Sequence, residues 1–305
     1  MDEDLPKFEP VGPPLVVSDE QILHDRQLQL KDTGLAKAEA LCHAGDALAA
    51  STEISQLLQA GTDVQNLQFC LLGAVLAGSQ ALVWTLLHAG VPVRLVNIKP
   101  AIRRRDLAML CLFLQHGWDI NESEDWCIPS LLSYAIATSP DESLISWFLS
   151  NGADPNARCE MDITPLSTAV GCAPLPVVQQ LFEYCSLITS FRGQLLHWAA
   201  RRASDDAEDV LQFILERSRQ HINKIMYEDD PFSYAVREVV GLGTALHEAA
   251  RIGRPGVAQL LLQNGADVSI PDSCGNTALE VAELHDNHAT VVLLRNAEKG
   301  LLAKI

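Results

Sequence analysis

With 305 residues, 48% of them hydrophobic and 20% charged, the chain has ample material for a sizeable folded body and fits neither a collagenous nor a wholly disordered composition. A formal charge of −17 sets it against non-specific attachment to nucleic acid or to an anionic membrane, because both polyanions must be met by Lys and Arg. The expected partners are proteins. Eight cysteines are scattered without a C-x-x-C pair, so neither a disulfide framework nor a zinc knuckle is indicated, and they read as reduced, mostly packed thiols.

In chain order, residues 1–17 hold Pro6, Pro10, Pro13 and Pro14 among acidic residues, a composition that favours an extended tail. Acid stands where a secretory leader would be basic, and no run of about 18 apolar residues occurs, so a soluble chain of the cytoplasm or nucleus is expected. Ser18 with Gln21 forms a capping box for a helix over 19–31, and residues 18–34 read as an N-terminal cap. From residue 35 a repeated signal follows: Leu57-Leu58 before Gly61, Leu86-Leu87 before Gly90, Phe113-Leu114 before Gly117, Phe148-Leu149 before Gly152. Glycine there ends a helix by entering the left-handed region without penalty. Thr164-Pro165-Leu166 starts a further unit ending near Leu181-Phe182. Gln194-Leu195-Leu196-His197-Trp198-Ala199-Ala200 starts another, ending near Ile214-Leu215. A long departure over about 217–243 precedes Thr244-Ala245-Leu246, which returns as Thr277-Ala278-Leu279, a step of 33 from 244 to 277. Residues 297–305 read as a C-terminal tail.

The period, the T-x-L-H start at Thr244–His247, the small pair Ala249-Ala250 and the closing N-G-A-D-V over 264–268 closely resemble the ankyrin repeat. The resemblance covers about 35–296. It implies an all-α ankyrin-repeat solenoid of about eight helix-turn-helix units, with short β-turn fingers and one enlarged finger at about 217–243, similar to those of fungal multi-ankyrin proteins. It also implies that Thr164 and Thr244 cap first helices, that His197 and His247 bond backbone in neighbouring turns, and that Ala169, Ala199, Ala200, Ala249 and Ala250 stay small where helices approach.

Catalytic signatures meet plain explanations. His247-Glu248-Ala249-Ala250-Arg251 carries Arg where a zinc-protease helix needs its second ligand, His285 and His288 lack a third ligand nearby, and Gly241-Leu242-Gly243 lacks the rest of a dinucleotide fingerprint. No catalytic residue, metal or cofactor is expected. The chain reads as a non-enzyme. The alternative is an enzyme or enzyme accessory with a pocket near 217–243 gathering His221, Asp229 and Asp230.

In ankyrin stacks the residue after the histidine position faces the concave side. Here that residue is Gly73, Pro100, Tyr134, Thr168, Trp198, Glu248 and Val281 in successive units, with Tyr134 and Trp198 as aromatic anchors, Trp198 having a core placement as its alternative. Arg103, Arg104 and Arg105, then Arg201 and Arg202, then Arg251 and Arg254, stand at the ends of first helices. They would meet a partner segment carrying acidic and apolar residues, or else complement helix C-termini. Tyr227, Asp229, Asp230, Phe232 and Tyr234 of the long finger are further contact candidates. The function expected is a monomeric protein-interaction scaffold or adaptor, regulatory or a transcriptional coregulator, with no direct nucleic-acid or membrane binding.

Overall fold

The structure, a computed structural model, describes residues 33–185, 191–218 and 221–302. The tail expected over 1–17 and the cap helix over 19–31 lie outside them. The described chain is mostly helical, compatible with the all-α class, with one short hairpin. Its described residues divide into two compact units, one over 33–101 and 108–117, the other over 102–107 and from 118 to 302.

The first unit contains α1 (Thr33–Ala44), α2 (Ala47–Gln59), α3 (Gln68–Leu76), α4 (Gln80–His88) and the greater part of α5 (Leu95–Arg104) and α6 (Leu107–Gln115). Helix α1 packs on α3 and α2 on α4. Gly90 shows why the L-L-x-x-G signal marks helix ends: at φ +92° its amide bonds the Leu87 carbonyl (3.0 Å) while the amide of the buried Val91 bonds Leu86 (3.1 Å). Two carbonyls that the helix leaves open are thereby satisfied.

The second unit begins with the hairpin β1 (Ser123–Asp125) and β2 (Ile128–Ser130), then α7 (Leu131–Thr138), α8 (Glu142–Ser150), α9 (Pro165–Cys172) and α10 (Leu175–Tyr184). It continues with α11 (Leu195–Arg201), α12 (Ala207–Ser218), α13 (Pro231–Arg237), α14 (Ala245–Ile252), α15 (Pro255–Gln263), α16 (Ala278–Leu284) and α17 (His288–Leu302). The last helix runs past Asn296 to Leu302, beyond the expected boundary of the tail. Two layers result. First helices α7, α9, α11, α14 and α16 pack in sequence order, and behind them α8 packs on α10 while α12, α15 and α17 form a second row. Ala169, Ala199, Ala200, Ala249 and Ala250 are fully buried along the first row, as the need for close approach demands.

The helix starts explain the register. Thr164 and Ser167 close a capping box at α9, Ser167 standing in for histidine, and at α14 the Thr244 amide bonds His247 Nδ1 (3.0 Å). His247 Nε2 then donates to the Asn276 carbonyl (3.2 Å) of the next turn, so its ring is held neutral. Burial pushes its pKa below the ordinary value. Asparagines register the turns further. Asn121 donates to the Gly152 carbonyl (3.0 Å) and accepts from the Asp154 amide (2.8 Å), and Asn223 repeats the pair with Gly265 (3.2 Å) and Asp267 (2.8 Å).

Candidate functional site

The insertion between α12 and α14 is the largest departure from the repeat, and it is folded rather than loose. Its two ends meet where the Met226 amide bonds the Gly243 carbonyl (2.9 Å). Met226, Tyr227 and Leu242 are buried with Cys159 and Met161 of a preceding turn in a small separate core, against which Cys127, Ile163, Trp198, Ile225 and Tyr234 pack. Tyr227 sits at φ +65°, its amide bonding Gln194 Oε1 (3.1 Å), and burial raises its phenol to about 12. Gln194 supplies the reason α11 starts without a side-chain cap: its amide is spent on Tyr227 and on Asp162 Oδ2 (2.6 Å).

His197 holds the insertion from beneath. Its Nε2 lies 3.0 Å from the Lys224 carbonyl, which assigns the proton to that nitrogen. Burial drives its pKa down to about 4, outweighing the backbone bonds to Lys224 and Gly243 that favour the charged ring. Asp230 caps α13 by accepting from the Ser233 amide (3.0 Å) and pairs with Arg158, while the Ser233 hydroxyl accepts from the Asp162 amide (3.1 Å). Burial alone would raise the Asp230 carboxyl, but the Ser233 and Arg158 bonds outweigh it and hold the group below its ordinary value.

Helix α13 therefore lies across the turns of the unit. The Met161 amide bonds the carbonyl of Trp126 at the hairpin tip (3.0 Å), and the Trp126 and Phe232 rings meet edge to face at 6.4 Å. At its far end the Ser273 amide bonds Leu242 (2.8 Å) and the Ser273 hydroxyl donates to Glu238 (2.5 Å), tying the short turn Glu238–Val240 to the next finger. Outside lies a set of large apolar side chains, Trp126, Ile128, Phe232, Val236, Val239 and Val240, all exposed, Val239 at 78%, with the exposed Arg237 and Glu238 among them.

The expected contact residues divide sharply. Phe232 and Asp229 are exposed, Asp229 pairing with Lys224. Tyr227 and Asp230 are buried and structural, which corrects the expectation that they meet a partner, and Tyr234 is half-buried against the small core. Trp198 takes its core alternative: it is half-buried in the same cluster, and its Nε1 is buried without a hydrogen-bond partner among the described residues. Arg202 is also corrected. Only 2% exposed, it donates to the Val170 (3.1 Å) and Ala173 (2.7 Å) carbonyls that α9 leaves open and pairs with Asp206 (2.7 Å). That is the helix C-terminus complement, not a docking contact.

Arg201 lies over the Trp198 ring (5.4 Å) and pairs with the buried Glu248 (3.2 Å), which Arg251 approaches from its other side (3.9 Å) while bonding the Gly241 carbonyl (2.9 Å). Tyr134 is half-buried, its hydroxyl accepting from Arg103 (2.8 Å), and Thr168 donates to the Thr164 carbonyl (3.3 Å). Arg103 and Arg104 are exposed. The position after the histidine does not face outward as a rule: Gly73, Pro100, Glu248 and Val281 are buried, because neighbouring helices close over it, and a Cβ on Gly73 would stand 3.1 Å from the His43 backbone.

A cleft of about 290 Å³ beside the insertion gathers Arg158, Asp162, Gln194, His221, Asp229 and Asp230. The Asp230 carboxyl is held below its ordinary value and is locked by Arg158, the opposite of a carboxyl poised to exchange protons near neutrality. Among the described residues no three His, Cys, Asp or Glu side chains come together to hold a metal ion. No helix of the described chain is long and apolar enough to cross a membrane.

Paired helices in two layers, with turns bonded to one another, define a helical-repeat protein. The family profile described as ankyrin repeats (3 copies) matches residues 196–302, so that part of the chain carries ankyrin repeats. No curated protein matches it. Among solved structures, a chain from the complex of the Bd0816 predatory endopeptidase of Bdellovibrio bacteriovorus with the immunity protein Bd3460 is similar, at 22% identity, a TM-score of 0.48, and coverage of 65% of this chain and 96% of that one.

Proposed function

We propose that the chain is a non-catalytic, monomeric interaction scaffold whose helix pairs form about eight ankyrin-type units, and that it holds a protein partner on the outer side of its enlarged finger. Ankyrin repeats generally mediate protein–protein interaction. The observation that carries the reading is the insertion itself, which is pinned at both ends, buried beneath and set with exposed apolar side chains on its outer side. Long insertions in compact folds carry function more often than connections of ordinary length, and contiguous exposed apolar surface marks a contact. The acidic partner expected for the arginine rows is less well served, since Arg202 is buried and Arg201 and Arg251 are paired with Glu248.

Quantitative affinity purification from the native cell, comparing the full chain with a Phe232→Ser, Val239→Ser variant, tests the reading. Partners held by the unaltered chain and lost from the variant are expected. An identical set of partners on both would refute it.

A further inference from the structure

The charge around the insertion specifies more than the site's existence. Trp126 and Ile128 project from the hairpin, Phe232 and Val236 from α13, Val239 and Val240 from the turn after it, and all are exposed. Beside Trp126 stand Asp125, its chain neighbour, and Glu160, whose successor Met161 bonds the Trp126 carbonyl. Beside Val239 stands Glu238. These three carboxylates are exposed and enter no ion pair among the described residues; Asp125 only receives the Trp126 amide (2.7 Å). Two cations stand on this side: Arg237, 4.0 Å from Met161 Sδ, and Arg158, which bonds the Glu160 carbonyl (3.4 Å) and is neutralised by Asp230. The apolar ridge is thus rimmed by negative charge on a chain that already carries −17.

We propose that this ridge docks a segment of a partner protein in which large apolar residues are interleaved with Lys and Arg. The inference rests on the scaffold reading above and adds the chemistry of the partner. Apolar anchors would settle on the paired Trp126 and Phe232 rings and against Val239, displacing water from surface that is costly to leave wet. The partner's cations would meet Asp125, Glu160 and Glu238 at the rim, which sets orientation and speeds encounter more than it adds affinity. An anionic membrane or a nucleic acid would bring its phosphates against the same carboxylates and be repelled. The ridge is already ordered by the Trp126–Met161, Asp162–Ser233 and Leu242–Ser273 bonds, so little conformational freedom remains to be lost on docking.

The test is selection of a random peptide library displayed on phage against the intact chain, followed by titration of a synthetic consensus peptide. The enriched peptides are expected to carry two or more large apolar residues among Lys or Arg. Affinity should fall roughly tenfold or more with Phe232→Ser and with the more exposed Val239→Ser. It should fall several-fold with the pair Glu160→Lys, Glu238→Lys and with added salt. Circular dichroism and melting of each variant establish that the chain is still folded. Enrichment of acidic peptides whose binding is lost on reversing Arg103 and Arg104 to Glu would overturn the ridge while leaving the scaffold reading intact. A concentration-dependent dimer abolished by Val239→Ser would assign the ridge to a second copy of the chain and overturn the proposal. Absence of any enriched peptide would overturn it as well, and together with an unchanged purification profile would remove the scaffold reading too.

Discussion

Acid should loosen the second unit through one ring. His197 is buried, donates to the Lys224 carbonyl at 3.0 Å, and has its pKa lowered from 6.5 to about 4. Because the folded ring holds a proton less tightly than the unfolded one, the unfolded chain takes up more protons below about pH 6.5, and stability falls as the pH is lowered from there towards 4. At about 1.36 kcal/mol per pH unit the gap is worth about 3 kcal/mol when fully developed, and about 2 kcal/mol at roughly pH 5. Urea unfolding followed by tryptophan fluorescence should therefore show a loss of about 2 kcal/mol between roughly neutral pH and pH 5. A His197→Gln variant keeps a donor for Lys224 but does not titrate, so most of that slope should vanish, leaving the smaller same-direction contribution of His247. Direct NMR titration of the imidazole gives the sharpest check. A midpoint near 6.5, or an equal slope in the glutamine variant, would refute the reasoning.

Other perturbations separate structural from surface arginines. Arg202→Met should cost about 3 kcal/mol, since it leaves the Val170 and Ala173 carbonyls without their charged donor; Arg201→Ala, on a side chain 42% exposed, should cost less, about 1 to 2 kcal/mol, because Arg251 stays beside the buried Glu248. Melting curves that rank the two the other way would contradict the assignment. Tyr227→Ala should cost about 3 kcal/mol by emptying the small core, and removal of residues 228–238 should lower the melting temperature, where a mere spacer would leave it unchanged. Asn223→Ala should cost about 1 to 2 kcal/mol and speed hydrogen exchange at the Asp267 amide, which loses its acceptor; unaltered exchange there would count against the bridge.

The parts of the fold legible in the sequence were those set by local chemistry. Glycine at positive φ after L-L, as at Gly90, and Thr164 or Thr244 at a helix start announce themselves within four or five residues. The small residues of the first helices were readable for the same reason. The site was not local. The core under the insertion joins Cys159 and Met161 to Met226, Tyr227 and Leu242, short apolar runs whose pairing lies far apart in the chain. Arg201 and Arg202 are adjacent in sequence yet point apart on the helix, one to Glu248 and one into the end of α9, so a pair of arginines could not be read as one patch. Gln194 occupies a cap position while serving two other partners, which no spacing reveals. Trp126 carried the one missed signal: an aromatic and an isoleucine, W-C-I, set directly after acidic residues in a turn that otherwise has no reason to be apolar.

The asparagine bridges at Asn121 and Asn223 have a mechanical corollary. Each binds one carbonyl and one amide of the following finger, so the distance between those neighbouring fingers is fixed by side-chain amide geometry as well as by the packing of the helices behind them. Core substitutions that swell or shrink the helix layers transmit their strain to these bridges, so the asparagines act as gauges in which a change of pitch is read as lengthened bonds at the finger edge.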